Sequence, residues 1–204
     1  MAEQSPTVIV IAGPNGAGKS TAAPILLPKT LGVLEFVNAD VIARGISAFQ
    51  SDLVAIEAGE IMLSRIDDLA EKRANFAFET TLGNRTFAAR IAALRKSGYS
   101  LVLLYLWLPS PDMAIPRVLE RVRQGGHNVP EETIRRRYWR GLVNFFTLYS
   151  PLADDWRFYD NSAAKKPRLI ASGSGYTETV RDPGTWDKIK KGLAREERSK
   201  EQDK

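Results

Sequence analysis

Residues 7–20 carry the sequence TVIVIAGPNGAGKS, in which an apolar run is followed at once by a glycine-rich segment. The run Thr7–Ala12 is short, continuous and rich in β-branched residues, as is typical of a parallel strand buried on both faces. Gly13–Ser20 matches G-x-x-x-x-G-K-[ST], the P-loop motif, and a helical stretch follows from Lys19 to about Leu27. The strand before the motif and the helix after it are the context that a P-loop requires.

The P-loop predicts a binding site for a purine nucleoside triphosphate, ATP or GTP, together with Mg²⁺. Its glycines let backbone N–H groups close around phosphate oxygens, and the helix N-terminus adds partial positive charge. Lys19 is predicted to reach the β- and γ-phosphates, Ser20 to coordinate Mg²⁺ and Thr21 to lie near the α-phosphate. The predicted nucleotide-binding residues of the loop are Gly13, Pro14, Asn15, Gly16, Ala17, Gly18, Lys19, Ser20 and Thr21.

Beyond the P-loop, strand patterns alternate with helix patterns. Strands are predicted at Glu35–Val37, Phe76–Phe78, Ser100–Leu108 and Trp156–Tyr159, and helices over residues 53–73, 87–97 and about 130–149. Pro116 leaves two alternatives for the helix before Gly125, which either begins close to Pro116 or is kinked there. A hairpin is expected within residues 165–181, and a charged helical tail over about residues 184–204.

This alternation predicts βαβ units and therefore an α/β fold. We expect a single domain over residues 1–204, of the three-layer P-loop NTPase or nucleotide-kinase type, with a central, mostly parallel sheet and a helical lid. Because ligands of such sheets bind at the carboxyl ends of the strands, functional residues are expected directly after each strand.

The composition limits the class of protein. Hydrophobic residues make up 44% of the 204 residues and charged residues 26%, and the absence of cysteine excludes disulfides and thiolate metal sites. The N-terminal residues lack a basic region, and the apolar run 8–12 is too short for a signal peptide or a membrane span. We expect a cytoplasmic protein that does not associate with membranes.

Two acidic residues follow predicted strands, Asp40 after the second and Glu79 after the third. In a parallel sheet both lie at the same edge as Lys19. Asp40 is placed to accept the proton of an acceptor hydroxyl during phosphoryl transfer. Glu79, with Thr80 and Thr81 beside it, is a candidate for binding substrate hydroxyls or a Mg²⁺-bound water.

Each acid also has a purely structural alternative. Asp40 could cap a helix that starts at Val41, and Glu79 could be a buried acid paired with Arg85.

A further feature bears on the class of P-loop protein. The strongest strand ends in Trp107–Ser110 without a Walker-B aspartate, which argues against a motor or switch ATPase and favours a small kinase.

Arginines are concentrated between Arg117 and Arg140, where seven arginines stand against three glutamates. Such a cluster suits contact with phosphate or nucleic acid, and its alternative is a solvated helix face. Small kinases close arginines over the transferred phosphate to neutralise its charge. The turn Gly125–Pro130 between two arginine-bearing helices therefore predicts a lid over about residues 117–140.

Five motifs in this order, GPNGAGKST, NADVIARG, FETTL, RVRQGGHNVPEETIRRRY and YDNS, resemble the zeta toxin family of P-loop kinases and span about residues 7–162. The resemblance implies a nucleotide-kinase-like fold and phosphorylation of the 3′-hydroxyl of UDP-N-acetylglucosamine, with a cognate antitoxin protein as partner. It implies that Lys19 binds phosphate, Asp40 is the catalytic base and Glu79 contacts substrate. Arg123 and Arg136 match the family's two ATP-phosphate arginines, and Arg121, Arg135 and Arg137 lie within one or two positions of them.

Two other functions stay open at this point. The first is a P-loop kinase with a different acceptor, such as a nucleoside, an antibiotic or a polynucleotide end. The second is a nucleotide-dependent protein that binds RNA or a partner through its basic segment. The presence of Asp40 and Glu79 favours the enzyme, with a small molecule rather than nucleic acid as its partner.

Overall fold

The structure, a computed structural model, describes residues 5–27, 32–47, 53–126, 128–163 and 166–202. The strands are β1 Thr7–Ala12, β2 Glu35–Val37, β3 Phe76–Thr80, β4 Ser100–Trp107, β5 Asp155–Asp160, β6 Arg168–Ser174 and β7 Thr177–Val180. The helices are α1 Lys19–Leu26, α2 Ala39–Ile46, α3 Ala55–Glu71, α4 Thr86–Lys96, α5 Pro111–Arg123, α6 Glu131–Asn144 and α7 Pro183–Gln202. Outside the described residues lie His127 of the predicted lid, Lys165 of the predicted hairpin region and residues 203–204 of the tail.

The seven strands form one sheet in the order β2-β3-β1-β4-β5-β6-β7. The first five strands are parallel, and Ala12 at the end of β1 pairs with Thr80 of β3 and Tyr105 of β4. Strands β6 and β7 are antiparallel and form the hairpin expected near Gly173–Gly175. The predicted mostly parallel α/β sheet is confirmed, and β1 carries the P-loop from its centre.

Alternate residues of β1 pack into two different apolar clusters. Val8 and Val10 belong to the larger cluster, while Ile9 and Ile11 belong to a second one that includes Ala23 of α1. Helices therefore cover both faces of the sheet. This double burial explains why β1 is continuously apolar rather than alternating.

The structure resolves the alternatives for the helix around Pro116. Helix α5 begins at Pro111, after Ser110, whose hydroxyl oxygen accepts a hydrogen bond of 3.3 Å from the Met113 N–H, and Pro116 lies inside the helix. Helix α6 begins at Glu131, directly after Pro130, as predicted, and a π-helical turn at Phe145–Tyr149 extends it.

The tail helix α7 is fixed to the sheet by aromatic packing. Trp186 lies 6.1 Å from Trp156 of β5, ring centroid to ring centroid, and also packs on Phe158. Among the described residues, no helix combines the length and the apolar content that crossing a membrane needs.

Candidate active site

The P-loop leaves β1 and enters α1 through a backbone that needs glycine. Gly13, Gly16 and Gly18 have φ angles of 139°, 76° and 78°, which side-chain-bearing residues rarely adopt. A Cβ atom at Gly13 would lie 2.1 Å from the Leu106 carbonyl oxygen. The loop is therefore held against β4 by a contact that only glycine permits.

Lys19 lies at the start of α1 with a side chain that is 6% exposed. Its Nζ donates a hydrogen bond of 3.0 Å to the Pro14 carbonyl and lies 3.6 Å from Glu79 Oε1. Burial lowers the pKa of Lys19, while the carboxylates of Glu79 and Asp40 oppose this effect. The arrangement holds an ammonium group beside a loop whose backbone and helix N-terminus already favour anions.

Glu79 connects the P-loop to the end of β2. Its Oε2 accepts one hydrogen bond of 2.7 Å from the Ser20 hydroxyl and a second of 2.7 Å from Asn38 Nδ2. Glu79 is thus hydrogen-bonded to Ser20 and Asn38 and paired with Lys19. These partners replace the alternative pairing with Arg85. The carboxylate is fixed at the point where the P-loop meets α1.

Asn38 was missed by the reasoning from sequence. Its Oδ1 accepts hydrogen bonds from the backbone N–H groups of Asp40 (2.8 Å) and Val41 (3.2 Å), so Asn38 is the N-cap of α2. The alternative role of Asp40 as a helix cap is therefore wrong. The signal was present, because asparagine is a preferred N-cap and stands directly after β2.

Asp40 is consequently free of a capping role and lies in the first turn of α2, with 42% of its side chain exposed. Its Oδ2 accepts a hydrogen bond of 3.4 Å from Arg121 Nη1 of α5. The pair joins the edge of the sheet to the first helix of the predicted lid.

A cavity of about 620 Å³ opens beside the P-loop. Among the predicted site residues it is lined by Asn15, Lys19, Asp40, Glu79, Thr80, Thr81 and Arg136. Ile56, Met62 and Leu63 of α3 give it an apolar wall. The cavity thus joins groups suited to phosphate with a surface suited to an uncharged part of a ligand.

The remaining predicted loop residues lie around this cavity rather than in its lining. The loop itself is formed by Gly13, Pro14, Gly16, Ala17 and Gly18, and Ser20 and Thr21 lie exposed in the first turn of α1.

Thr80 and Thr81 accept hydrogen bonds from the N–H groups of Leu82 (3.1 Å) and Gly83 (3.3 Å), which shapes the turn after β3.

The arginines of α5 and α6 divide into two sets. Arg121, Arg136 and Arg137 line the cavity, whereas Arg123 is 77% exposed and pairs with Glu120 at 3.3 Å. Residues two positions apart on a helix point about 200° apart, so Arg121 and Arg123 leave α5 in different directions. The assignment of Arg123 to the ATP phosphates stays a prediction.

Arg137 contributes a partly buried positive charge to the cavity. Burial lowers the pKa of its guanidinium, and the neighbouring charge of Arg136 adds to this effect. A bound anion would offset both the burial of the charged guanidinium and its repulsion by Arg136. Arg137 is therefore a candidate phosphate ligand that the sequence motif alone could not separate from its neighbours.

The donor set fits Mg²⁺ bound together with a nucleotide. The described residues contain no group of three or more histidine, cysteine or acidic side chains that could hold a metal ion without other ligands. Mg²⁺ in phosphoryl-transfer sites needs only one or two protein ligands, because phosphate oxygens and water complete its coordination. The hydroxyl of Ser20 and the carboxylate of Glu79 are the neighbouring groups that could serve as such ligands.

Solved structures share this fold at low sequence identity. A crystal structure of the AvrRxo1-ORF1:AvrRxo1-ORF2 complex with ATP matches with a TM-score of 0.73 and 19% identity, covering 91% of this chain and 63% of that chain. The chain thus spans less than two thirds of that protein's length. A structure from the PezAT chromosomal toxin–antitoxin system of Streptococcus pneumoniae matches with a TM-score of 0.61 and 17% identity, covering 82% of this chain and 72% of that chain.

Sequence comparison identifies the family. An uncharacterized protein of Haemophilus influenzae is 26% identical over 130 residues, which are 64% of this chain and 91% of the relative. The family model described as Zeta toxin matches residues 1–163, and this range contains the P-loop, Asp40, Glu79 and the arginines of α5 and α6. The chain therefore belongs to the zeta toxin family.

Proposed function

We propose that this protein is an ATP- and Mg²⁺-dependent kinase that transfers the γ-phosphate of ATP to a hydroxyl group of a small molecule. The observation that carries the proposal is that Lys19, Asp40 and Glu79 line one cavity, with the Ser20 hydroxyl hydrogen-bonded to Glu79. As the acceptor we propose a sugar nucleotide of the UDP-N-acetylglucosamine type. The family membership supports this choice, and the charged and apolar walls of the cavity suit such a ligand.

In the proposed reaction, the nucleotide phosphates bind the P-loop with Lys19 at the β- and γ-phosphates. Ser20 and Glu79 would hold Mg²⁺, which would supply positive charge to the phosphate oxygens. Glu79 Oε1 lies 3.6 Å from Lys19 Nζ. The same carboxylate would therefore contact both Mg²⁺ and the lysine that binds the phosphates.

Asp40 is the proposed general base. It accepts the proton of the acceptor hydroxyl as that oxygen attacks the γ-phosphorus, and ADP leaves. Arg121 orients the Asp40 carboxylate through their 3.4 Å contact. Arg121, Arg136 and Arg137 neutralise charge on the transferred phosphoryl group, and closure of α5 and α6 as a lid brings them to it.

A cognate antitoxin is the proposed protein partner. The support is the family membership together with the fold shared with a protein of the PezAT toxin–antitoxin system. Such a partner would inhibit the kinase by covering the mouth of the cavity.

The test is incubation of the protein with ATP, Mg²⁺ and a panel of UDP-sugars, nucleosides and nucleotides, with phosphate gain measured by mass spectrometry. Lys19→Ala and Asp40→Asn serve as inactive controls. Product from another acceptor, but none from UDP-N-acetylglucosamine, would refute the sugar-nucleotide assignment alone. No product from any acceptor, together with RNA binding that Asp40→Ala leaves unchanged, would replace the kinase by a nucleotide-dependent RNA-binding protein.

A further inference from the structure

The turn that follows β5 makes direct contact with the P-loop. Asn161 Nδ2 donates a hydrogen bond of 2.7 Å to the carbonyl oxygen of Ala17, in the middle of the loop. A Cβ atom at Gly18 would lie 2.8 Å from the same Asn161 nitrogen. The side chain of Asn161 therefore lies against the backbone of the loop and supports its conformation.

The turn itself is held by Arg117 of α5. Arg117 Nη1 donates a hydrogen bond of 2.9 Å to the Asn161 carbonyl, and Nη2 donates one of 2.5 Å to the Ser162 carbonyl. A guanidinium is suited to this role because its donors lie in one rigid plane and reach two acceptors at once.

Helix α5 also touches the P-loop directly. A Cβ atom at Gly16 would lie 2.6 Å from the Ala114 carbonyl and 3.3 Å from the Cβ of Arg117. One face of α5 thus contacts the loop at Gly16, while Arg117 controls the turn that contacts it at Ala17 and Gly18. One turn later on the same helix, Arg121 reaches Asp40.

We propose that Arg117 is a positioning residue for the P-loop, acting through Asn161. By fixing the Asn161–Ser162 turn, it holds the loop carbonyl of Ala17 in place and keeps the loop N–H groups directed toward the phosphates. This inference rests on the nucleotide site of the proposed function, but it does not depend on the acceptor. Arg117 itself makes no contact with phosphate in this scheme.

The test is direct binding of ATP-Mg²⁺ and of tripolyphosphate-Mg²⁺ by isothermal titration calorimetry, without acceptor. Arg117→Ala is expected to weaken both ligands by about tenfold, the loss typical of one charged hydrogen-bonding group. Arg117→Lys should lose less, because an ammonium can still donate to one carbonyl. Arg195→Ala, which removes the same charge from an exposed position of α7, should change neither affinity by more than about twofold.

Action through Asn161 is tested by a double-mutant cycle. Asn161→Ala alone is expected to weaken tripolyphosphate by about tenfold, and adding Arg117→Ala should cause little further loss. If the two substitutions acted independently, their losses of affinity would multiply to about a hundredfold. That result would overturn the scheme. If Arg117→Ala does not fold, Arg117→Lys replaces it in the cycle.

Two other results would overturn the inference. Wild-type affinity in Arg117→Ala would show that the turn does not support the loop. A loss for ATP without a loss for tripolyphosphate would show that Arg117 contacts the nucleoside instead. Failure of every acceptor in the kinase assay would leave these binding results intact, so the two proposals fail separately.

Discussion

The hydroxyl of Ser20 donates a hydrogen bond of 2.7 Å to the carboxylate of Glu79, a residue 59 positions later in the chain. The bond joins the first turn of α1 to the end of β3, and the register of β1 and β3 makes this possible by pairing Ala12 with Thr80. A hydroxyl and a carboxylate are thereby held together beside Lys19 before any ligand arrives.

Replacing Glu79 by glutamine tests whether this carboxylate supports Mg²⁺. The glutamine side chain would keep the shape and one hydrogen bond, but would lose the charge. We expect turnover at saturating ATP to fall about 10- to 100-fold, and the Mg²⁺ concentration for half-maximal activity to rise. The measurement is initial rate against Mg²⁺ concentration. Glu57→Gln, an exposed acid of α3 outside the cavity lining, is the control, and an unchanged Mg²⁺ dependence in Glu79→Gln would exclude the metal role.

The general-base assignment predicts a specific kinetic pattern for Asp40→Asn. Removing the proton acceptor should lower kcat by about 10²- to 10⁴-fold, while the Kd for ATP changes little, because the nucleotide phosphates bind on the P-loop. Single-turnover kinetics and calorimetry separate these quantities. A loss of only a few-fold in kcat would remove Asp40 as the base.

The lowered pKa of Lys19 predicts a distinct dependence on pH. In the window between that pKa and the ordinary lysine value of 10.5, the unfolded chain binds more protons than the folded one. The contribution of Lys19 to the free energy of unfolding of the nucleotide-free protein should therefore increase as pH rises through this window. The affinity for ATP should fall over the same range, because Lys19 loses its charge. Titrations from pH 7 upward on wild type and Lys19→Met isolate the contribution, and identical profiles would contradict it.

Arg121 and Arg123 provide a charge-matched comparison on one helix. Arg121→Ala should lower kcat/KM by about 10- to 100-fold, because it removes a charge from the cavity and the partner of Asp40. Arg123→Ala should have an effect within about twofold, as expected for an exposed pair with Glu120. Equal and large losses in both variants would assign Arg123 to the phosphates, as its position in the family motif implies.

The packing of α6 on the turn after β3 predicts a stability effect. A Cβ atom at Gly141 would lie 2.3 Å from the Thr81 carbonyl oxygen, so Gly141→Ala should lower the free energy of unfolding by about 1–3 kcal/mol. Gly45→Ala, with nothing within 4 Å of the added Cβ in helix α2, should instead stabilise by up to about 1 kcal/mol. Chemical denaturation measures both, and a neutral Gly141→Ala would contradict the close approach.

Local patterns were sufficient to predict the scaffold. The apolar run of β1, the glycines of the P-loop and the position of Asp40 and Glu79 after strands each depend on neighbouring residues and on the shared edge of a parallel sheet. All five predicted parallel strands are present. Strands β1 and β2 have the predicted bounds, and the other three differ only at their ends, as in β3, which continues to Thr80.

Contacts between distant segments were not predictable in the same way. The sequence shows that Asn38, a preferred N-cap, follows a strand, but not that its amide nitrogen reaches Glu79. It shows a run of arginines, but not the rotation of α5 that brings Arg121 into the cavity lining and leaves Arg123 exposed. Arg117 gave no signal because its partners are backbone carbonyls, whose positions no residue type reveals.

The hydrogen bond between Asn161 and Ala17 spans 144 positions of the chain, so the ribosome makes its two partners at well-separated times. The P-loop is translated directly after β1, whereas the asparagine that supports it is translated only after β5. A nascent chain that ends before Asn161 carries every residue of the phosphate-binding motif without the amide that steadies it. The supported conformation of the phosphate-binding loop is therefore complete only when the segment after β5 has also been translated.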